Sequence, residues 1–186
     1  MKELKKSLKV LQIDKSWTLF LDRDGVINRK IEGDYVRTLE QFEFIEGVLD
    51  GMKKLTKIFG RTIIVTNQRG IGRGLMSEED LQKIHNYMLA EFKKNGVKID
   101  AIYYCPHDYQ KQDCECRKPK VGMALQAKKD FPEIDFSKSI IVGDSREDIE
   151  FGRKLGMITV YIEQDLKNPF EAHLCFDSLL SFSRAI

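Results

Sequence analysis

Two aspartates stand two residues apart in the run D-R-D-G-V at 22–26, directly behind the apolar segment W-T-L-F-L. Carboxylates delivered by a buried strand must either be buried without partners, at high cost, or face a site. One carboxylate of such a pair can attack phosphorus as a nucleophile. The other can pass a proton to the departing oxygen and later take one from water. D-x-D-G also suits a tight turn, because Asp and Gly are ordinary turn formers.

Three later segments carry residues of complementary chemistry. Thr66 and Asn67 follow the β-branched run R-T-I-I-V, where a hydroxyl and backbone N–H groups can hold phosphoryl oxygens. Lys118, in C-R-K-P, offers an ammonium able to neutralise both a phosphate and a nucleophilic carboxylate. In G-D-S-R-E-D at 143–148, Asp144 ends an apolar run and Asp148 lies one helical turn beyond it, on the same face. Mg²⁺ takes one or two carboxylates together with phosphate oxygens and waters. Asp22 and Asp144 would supply those carboxylates, and the main-chain carbonyl of Asp24 would complete the protein ligands. Asp144-Ser145 is also compatible with a simple helix cap. The joint occurrence of four such pieces, each behind an apolar strand or ahead of a helix, is hard to explain by caps and turns.

A second constellation is C-x-H-x6-C-x-C, formed by Cys105, His107, Cys114 and Cys116. Three thiolates and one imidazole make a complete tetrahedral zinc set. Full coordination leaves no open position, so this Zn²⁺ is expected to be structural. The loop ends just before Arg117 and Lys118, so the metal would hold both cations near the phosphate site. Cys175 stands apart, in H-L-C-F, as a small buried hydrophobe. His85 and His173 have no matching partner in sequence and receive no catalytic role.

These residues need elements to carry them. Apolar runs at 17–21, 61–66, 101–104, 139–142 and 157–162 read as strands. Helical spacing marks 47–59, 77–94, 121–129 and 147–155, and a final helix is expected over 176–182. Ser77 with Asp80 forms a capping box, and Asn95-Gly96 ends that helix. Strands alternating with helices predict an α/β, Rossmann-like fold: a mainly parallel sheet with helices on both faces. Ligands then bind beyond the carboxyl ends of the strands.

The 186 residues are expected to form one domain, 1–186, with the zinc loop at 105–116. A hydrophobic content of 42% and a charged content of 32% exclude a disordered chain. No stretch approaches the roughly 20 apolar residues of a membrane span, and the first residues lack a secretory apolar core. A cytoplasmic, monomeric protein is therefore expected. A net charge of +2 argues against a nucleic-acid partner. Lys2, Lys5, Lys6 and Lys9 read as a solvated terminal helix face.

D-R-D-G-V, V-T-N, the R-K-P lysine and G-D-S-R-E-D resemble the four motifs of the haloacid dehalogenase superfamily of phosphohydrolases, over about residues 17–162. The resemblance implies Asp22 as nucleophile, Asp24 as general acid/base, Thr66 and Lys118 as phosphate contacts, and Asp144 as a magnesium ligand. Asp148 would support the metal through water or from behind its ligands. The stretch between Asp24 and Thr66 is too short for an inserted cap domain, so an open site is expected.

Within the superfamily, D-R-D-G-V-I-N, F-E-F-I-E-G-V-L-D at 42–50, N-Q-R-G-I-G-R-G at 67–74, I-Y-Y-C-P-H at 102–107 and C-R-K-P are similar to the heptose 1,7-bisphosphate 7-phosphatases. That family carries such a zinc loop and serves nucleotide-activated heptose synthesis. The alternative is the histidinol-phosphate phosphatases, which share the loop but usually have Thr where Val26 stands. Arg69 departs from the small residue that commonly follows N-Q, and the zinc loop is short. Asn67, Arg69, Arg73 and Arg117 are expected to bind substrate, and three arginines suit a small sugar with two phosphates. Two further classes are a polynucleotide 3′-phosphatase and a non-catalytic zinc module. Retention of Asp22, Asp24, Lys118 and Asp144 together argues against the module.

Overall fold

The computed structural model describes residues 11–166 and 170–186. The lysine-rich segment with Lys2, Lys5, Lys6 and Lys9 lies outside the described residues.

Alternation of large aliphatic and aromatic residues builds the central strands. In β1 (Thr18–Leu21), Leu19 and Leu21 pack into one core and Phe20 into another. The same division holds for Ile64 against Ile63 and Val65 in β2 (Arg61–Asn67). It holds again for Ile140 and Val142 against Ile141 in β4 (Ser139–Gly143). Strands apolar on both faces must be covered on both faces. α1 (Val48–Ile58), α3 (Glu78–Lys94) and α6 (Leu179–Ala185) close one side through Met52, Leu55, Ile84, Met88 and Phe182. α4 (Gly122–Asp130) and α5 (Arg146–Lys154) close the other through Met123, Ala127 and Phe151. Each of these side chains larger than alanine contributes about 1.5–3 kcal/mol on leaving water. That driving force tolerates the crowding of charge at the strand ends.

With β3 (Ala101–Cys105), β5 (Ile158–Ile162) and β6 (Leu174–Phe176) the sheet has the order β3-β2-β1-β4-β5-β6. Every pairing is parallel. The chain winds outward from β1 to β3, returns to lay β4 against the free side of β1, and winds outward again. The reversal opens a crevice at the carboxyl ends of β1 and β4. Asp22 and Asp144 immediately follow those two strands.

The capping box at Ser77 and Asp80 forms as expected, and α3 ends at Asn95, with Gly96 at φ 72°. The C-terminal reading is corrected. Phe176 belongs to β6, paired with Ile162, and the last helix starts only at Leu179 behind its Ser178 cap. A three-residue edge strand is too short to show alternation. His173 is structural: its Nδ1 accepts from Thr159 N at 3.1 Å and ties the tail to β5. The glycine-rich loop after β2 contains one helical turn, α2 (Arg69–Gly72).

Candidate active site

The site is assembled by the turn after β1. Gly25 adopts φ +89°, and a Cβ there would lie 2.2 Å from Asp144 Oδ2. Only glycine lets the turn pass beside Asp144. Gly143 works the same way behind the site, since its Cβ would meet Asp148 Cβ at 2.2 Å. Asp22, Asp144 and Asp148 thereby bring carboxylate oxygens within 4.8 Å of one another.

Lys118 is the counter-charge. Its side chain is 1% exposed, with Nζ 2.9 Å from Asp22 Oδ1, 2.6 Å from Asp148 Oδ1 and 2.8 Å from the Val65 carbonyl. Asn67 fixes its backbone: Lys118 N donates to Asn67 Oδ1 at 3.0 Å, and Asn67 Nδ2 donates back to the Lys118 carbonyl at 3.2 Å. Asp148 Oδ2 accepts from Ser145 N and Oγ at the start of α5. Both Asp148 oxygens are thus engaged, which suits support from behind a metal better than direct ligation. Ser145 is indeed a helix cap, and Asp148 serves the cap and the site together.

Three carboxylates against one buried ammonium leave a deficit of positive charge. Burial, opposed by Lys118 and reinforced by Asp148 and Asp144, pushes the Asp22 carboxyl up to about 8. Burial and Asp148 also raise Asp144, against the pull of Lys30, whose Nζ is 2.9 Å from Asp144 Oδ2. Burial would lower the Lys118 ammonium, but Asp148 and Asp22 outweigh it and raise it. An all-oxygen donor set short of positive charge fits a hard divalent cation. Asp22 and Asp144 can hold it. The carboxylate of Asp24 is not among those that converge, which leaves its main-chain carbonyl as the contribution open to it.

Asp24 is instead gripped. Arg23 Nη2 donates to both its oxygens at 3.0 and 2.9 Å, Asn28 Nδ2 to Oδ1 and Gln68 Nε2 to Oδ2, each at 2.9 Å. Burial alone would raise its carboxyl, but the Arg23 charge and these hydrogen bonds hold it below the usual range. Gln68 Nε2 also donates to Thr66 Oγ1 at 2.8 Å, so the Thr66 hydroxyl proton remains available to a ligand.

A cleft of about 210 Å³ is lined by Asp22, Asp24, Thr66, Asn67, Arg117, Lys118 and Asp144, joined by Lys30, Tyr35 and Glu147. It is smaller than pockets that enclose a whole drug-sized ligand. A phosphoryl group fits inside, and the rest of a substrate extends outward. Arg69 and Arg73 do not line it. Arg69 Nε is 2.6 Å from Asp108 Oδ1 and its guanidinium lies 4.2 Å above the Tyr109 ring, so its charge is already paired. Arg73 is exposed. Arg117 stacks on Tyr109 at 4.8 Å.

The cysteine loop closes on itself. Cys105 Sγ is 3.5 Å from Cys114 Sγ, 2.8 Å from Cys116 Sγ and 3.7 Å from His107 Nδ1. All four donor atoms lie within 4.8 Å of one another. Tetrahedral zinc with bonds of about 2.3 Å sets neighbouring sulfurs roughly 3.8 Å apart, so the cluster can hold that ion. Burial and the neighbouring Cys105 and Cys114 thiols raise the Cys116 thiol. Hydrogen bonds from Gln68 N to the Cys105 carbonyl and from Gly72 N to the Pro106 carbonyl seat the loop beside β2.

Sequence reasoning missed Lys30, Gln68, Asn28 and the buried pair Arg23–His85. Arg23 and Gln68 sat inside quoted motifs, but Lys30 carried no signal.

A family model described as polynucleotide kinase 3 phosphatase matches residues 17–172. The D-glycero-alpha-D-manno-heptose-1,7-bisphosphate 7-phosphatase of Mycobacterium bovis is 44% identical over 174 residues, covering 91% of both chains. The D-glycero-beta-D-manno-heptose-1,7-bisphosphate 7-phosphatase of Haemophilus influenzae is also 44% identical, over 72% of this chain and 74% of its own. Among solved structures, the D,D-heptose 1,7-bisphosphate phosphatase of B. bronchiseptica, complexed with magnesium and phosphate, superposes with a TM-score of 0.81 at 26% identity. That match covers 90% of this chain and 96% of the other. This chain is a phosphatase of the haloacid dehalogenase superfamily and belongs to its family of heptose-1,7-bisphosphate 7-phosphatases.

Proposed function

We propose that this enzyme removes the 7-phosphate of D-glycero-D-manno-heptose 1,7-bisphosphate through an aspartyl-phosphate on Asp22, in the cytoplasm and as a monomer. The product would feed nucleotide-activated heptose synthesis for lipopolysaccharide or another surface glycan. The observation that carries the chemistry is the convergence of the Asp22, Asp144 and Asp148 carboxylates at the strand-order reversal, with the buried Lys118 ammonium against Asp22 and Asp148. The sugar rests on the two relatives named for that substrate at 44% identity.

In this reading an Asp22 oxygen attacks phosphorus, and the bond to the sugar oxygen breaks with its electron pair on that oxygen. Asp24, ionised in the free site beside Arg23, would take up a proton as the substrate phosphate enters, give it to that oxygen, and then take one from the water that hydrolyses the acyl phosphate. Lys118, the Thr66 hydroxyl and backbone N–H groups at Asn67 hold the phosphoryl oxygens. Asp22, Asp144 and the Asp24 carbonyl would hold Mg²⁺, which when bound neutralises charge on the phosphoryl group. Zn²⁺ on Cys105, His107, Cys114 and Cys116 would fix Arg117 and Lys118. Arg117 lines the cleft and is the arginine best suited to a second substrate phosphate. Asn67 acts mainly by holding Lys118. Arg69 and Arg73 would act only from the rim.

The matched family model also supports a second reading, a polynucleotide 3′-phosphatase. A net charge of +2 favours the sugar, since a nucleic-acid tract needs a basic surface. The test is phosphate release with Mg²⁺ from both anomers of heptose 1,7-bisphosphate, histidinol phosphate and a 3′-phosphorylated oligonucleotide. The sugar bisphosphate should give the highest kcat/KM, and the preferred anomer follows from the same panel. Higher kcat/KM on histidinol phosphate or on the oligonucleotide contradicts the assignment.

A further inference from the structure

The Arg23 side chain is 0% exposed, and an ion so deep in a protein is tolerated only when it is well paired. Among the described residues its side-chain partners are two. Nη2 reaches both oxygens of Asp24, and Nη1 lies 3.2 Å from His85 Nε2. Among the described residues Arg23 Nε has no partner. The sheet does not need this charge, because both faces are already filled by hydrophobic side chains. A guanidinium cannot give up its proton, so His85 Nε2 must accept and His85 is the neutral Nδ1–H tautomer. Burial, with Arg23 next to it, holds His85 down at about 3, which agrees. His85 is itself 3% exposed, set in α3 with its ring edge-on to Tyr104.

A guanidinium is planar, so anchoring one arm fixes the plane in which the other arm meets its carboxylate. α3 thereby reaches the turn after β1 from 62 residues away. We propose that Arg23 and His85 are a buried positioning pair that aims the Asp24 carboxylate at the leaving oxygen. This inference rests on the acid/base assignment of Asp24 made above. Neither residue touches substrate; both act through Asp24. Asn28 and Gln68 hold the same carboxylate from its other sides, and Gln68 links it to Thr66.

The reacting step sets the readout. Proton donation matters most when the departing oxygen is strongly basic and least when it leaves as a stable phenolate. Steady-state kinetics on p-nitrophenyl phosphate and phenyl phosphate, with zinc- and magnesium-loaded enzyme, therefore separate aiming from folding. His85→Leu removes the acceptor, His85→Gln keeps one, Arg23→Lys keeps the charge but loses the fork, and Asp24→Asn removes the acid. A positioned acid contributes about 10²–10⁴-fold. We expect His85→Leu and Arg23→Lys to lose about tenfold or more in kcat/KM, which reports the step that expels the leaving oxygen, on phenyl phosphate and less than about threefold on p-nitrophenyl phosphate. His85→Gln should recover most of the loss, and Asp24→Asn should show the same bias, larger. Equal loss of kcat/KM on both substrates, or no loss, in His85→Leu and Arg23→Lys while Asp24→Asn keeps its bias overturns the positioning pair alone. Absence of bias in Asp24→Asn overturns the acid/base assignment and the pair with it. Should His85→Leu fail to fold, Arg23→Lys decides by the same ratio.

Discussion

Replacing Asp22, the proposed nucleophile, should make the metal-free protein more stable. Asp22 is buried with Asp148 and Asp144 beside it, and its carboxyl is pushed from 3.8 up to about 8. The folded state therefore holds a proton that the unfolded chain has already lost, across that window. Stability falls with rising pH wherever the folded state binds more protons, so Asp22 costs stability progressively between about pH 4 and pH 8. Each pH unit of that window is worth about 1.4 kcal/mol, which sets a ceiling on the order of 5 kcal/mol. Water entry and relaxation around buried ions reduce the realised part, and we expect about 1–3 kcal/mol at pH 8. Asp22→Asn keeps the shape and the acceptor for Arg23 N, now 2.7 Å from Asp22 Oδ1, but cannot ionise. The assay is urea unfolding of chelator-treated wild type and Asp22→Asn at pH 5 and pH 8. The variant should be inactive, and its stability advantage should grow with pH. A constant gap, or a less stable variant at pH 8, would refute the charge-deficit argument. Lys118→Met should act in the opposite sense and lose about 3–5 kcal/mol, because it strands buried carboxylates.

Two further changes probe the scaffold. Gly25→Ala should abolish turnover and weaken magnesium binding, because the new Cβ would stand 2.2 Å from Asp144 Oδ2 at a φ of +89°; calorimetric titration of Mg²⁺ checks it. Cys116→Ser should lower zinc content, measured by elemental analysis, and lower kcat with it, since Arg117 and Lys118 follow directly. Normal activity in a zinc-free variant would remove the positioning role of the loop.

Much of the fold was legible because its central strands are buried on both faces. Continuous apolar runs such as T-L-F-L and S-I-I-V mark β1 and β4 without ambiguity. α3 announced itself through the Ser77–Asp80 box. β6 did not, since three residues on a sheet edge carry no period. The cleft residues Asp22, Thr66, Lys118 and Asp144 were legible by position, each close to a strand end or a helix start. Their partners were not. The contact of Arg23 with His85 and that of Lys30 with Asp144 join residues far apart in sequence, through the winding of the sheet. Arg69 shows the reverse case. It has the right chemistry and place in the chain, but Asp108 and Tyr109 take its charge.

The covalent role of Asp22 is tested most directly by trapping. Rapid acid quench of the magnesium-loaded enzyme during turnover of heptose 1,7-bisphosphate, followed by peptide mass mapping, should find a phosphoryl group on the peptide containing Asp22. It should be absent from Asp22→Asn. Turnover with no phosphorylated peptide at any quench time, or a phosphoryl group on another residue, would contradict the account.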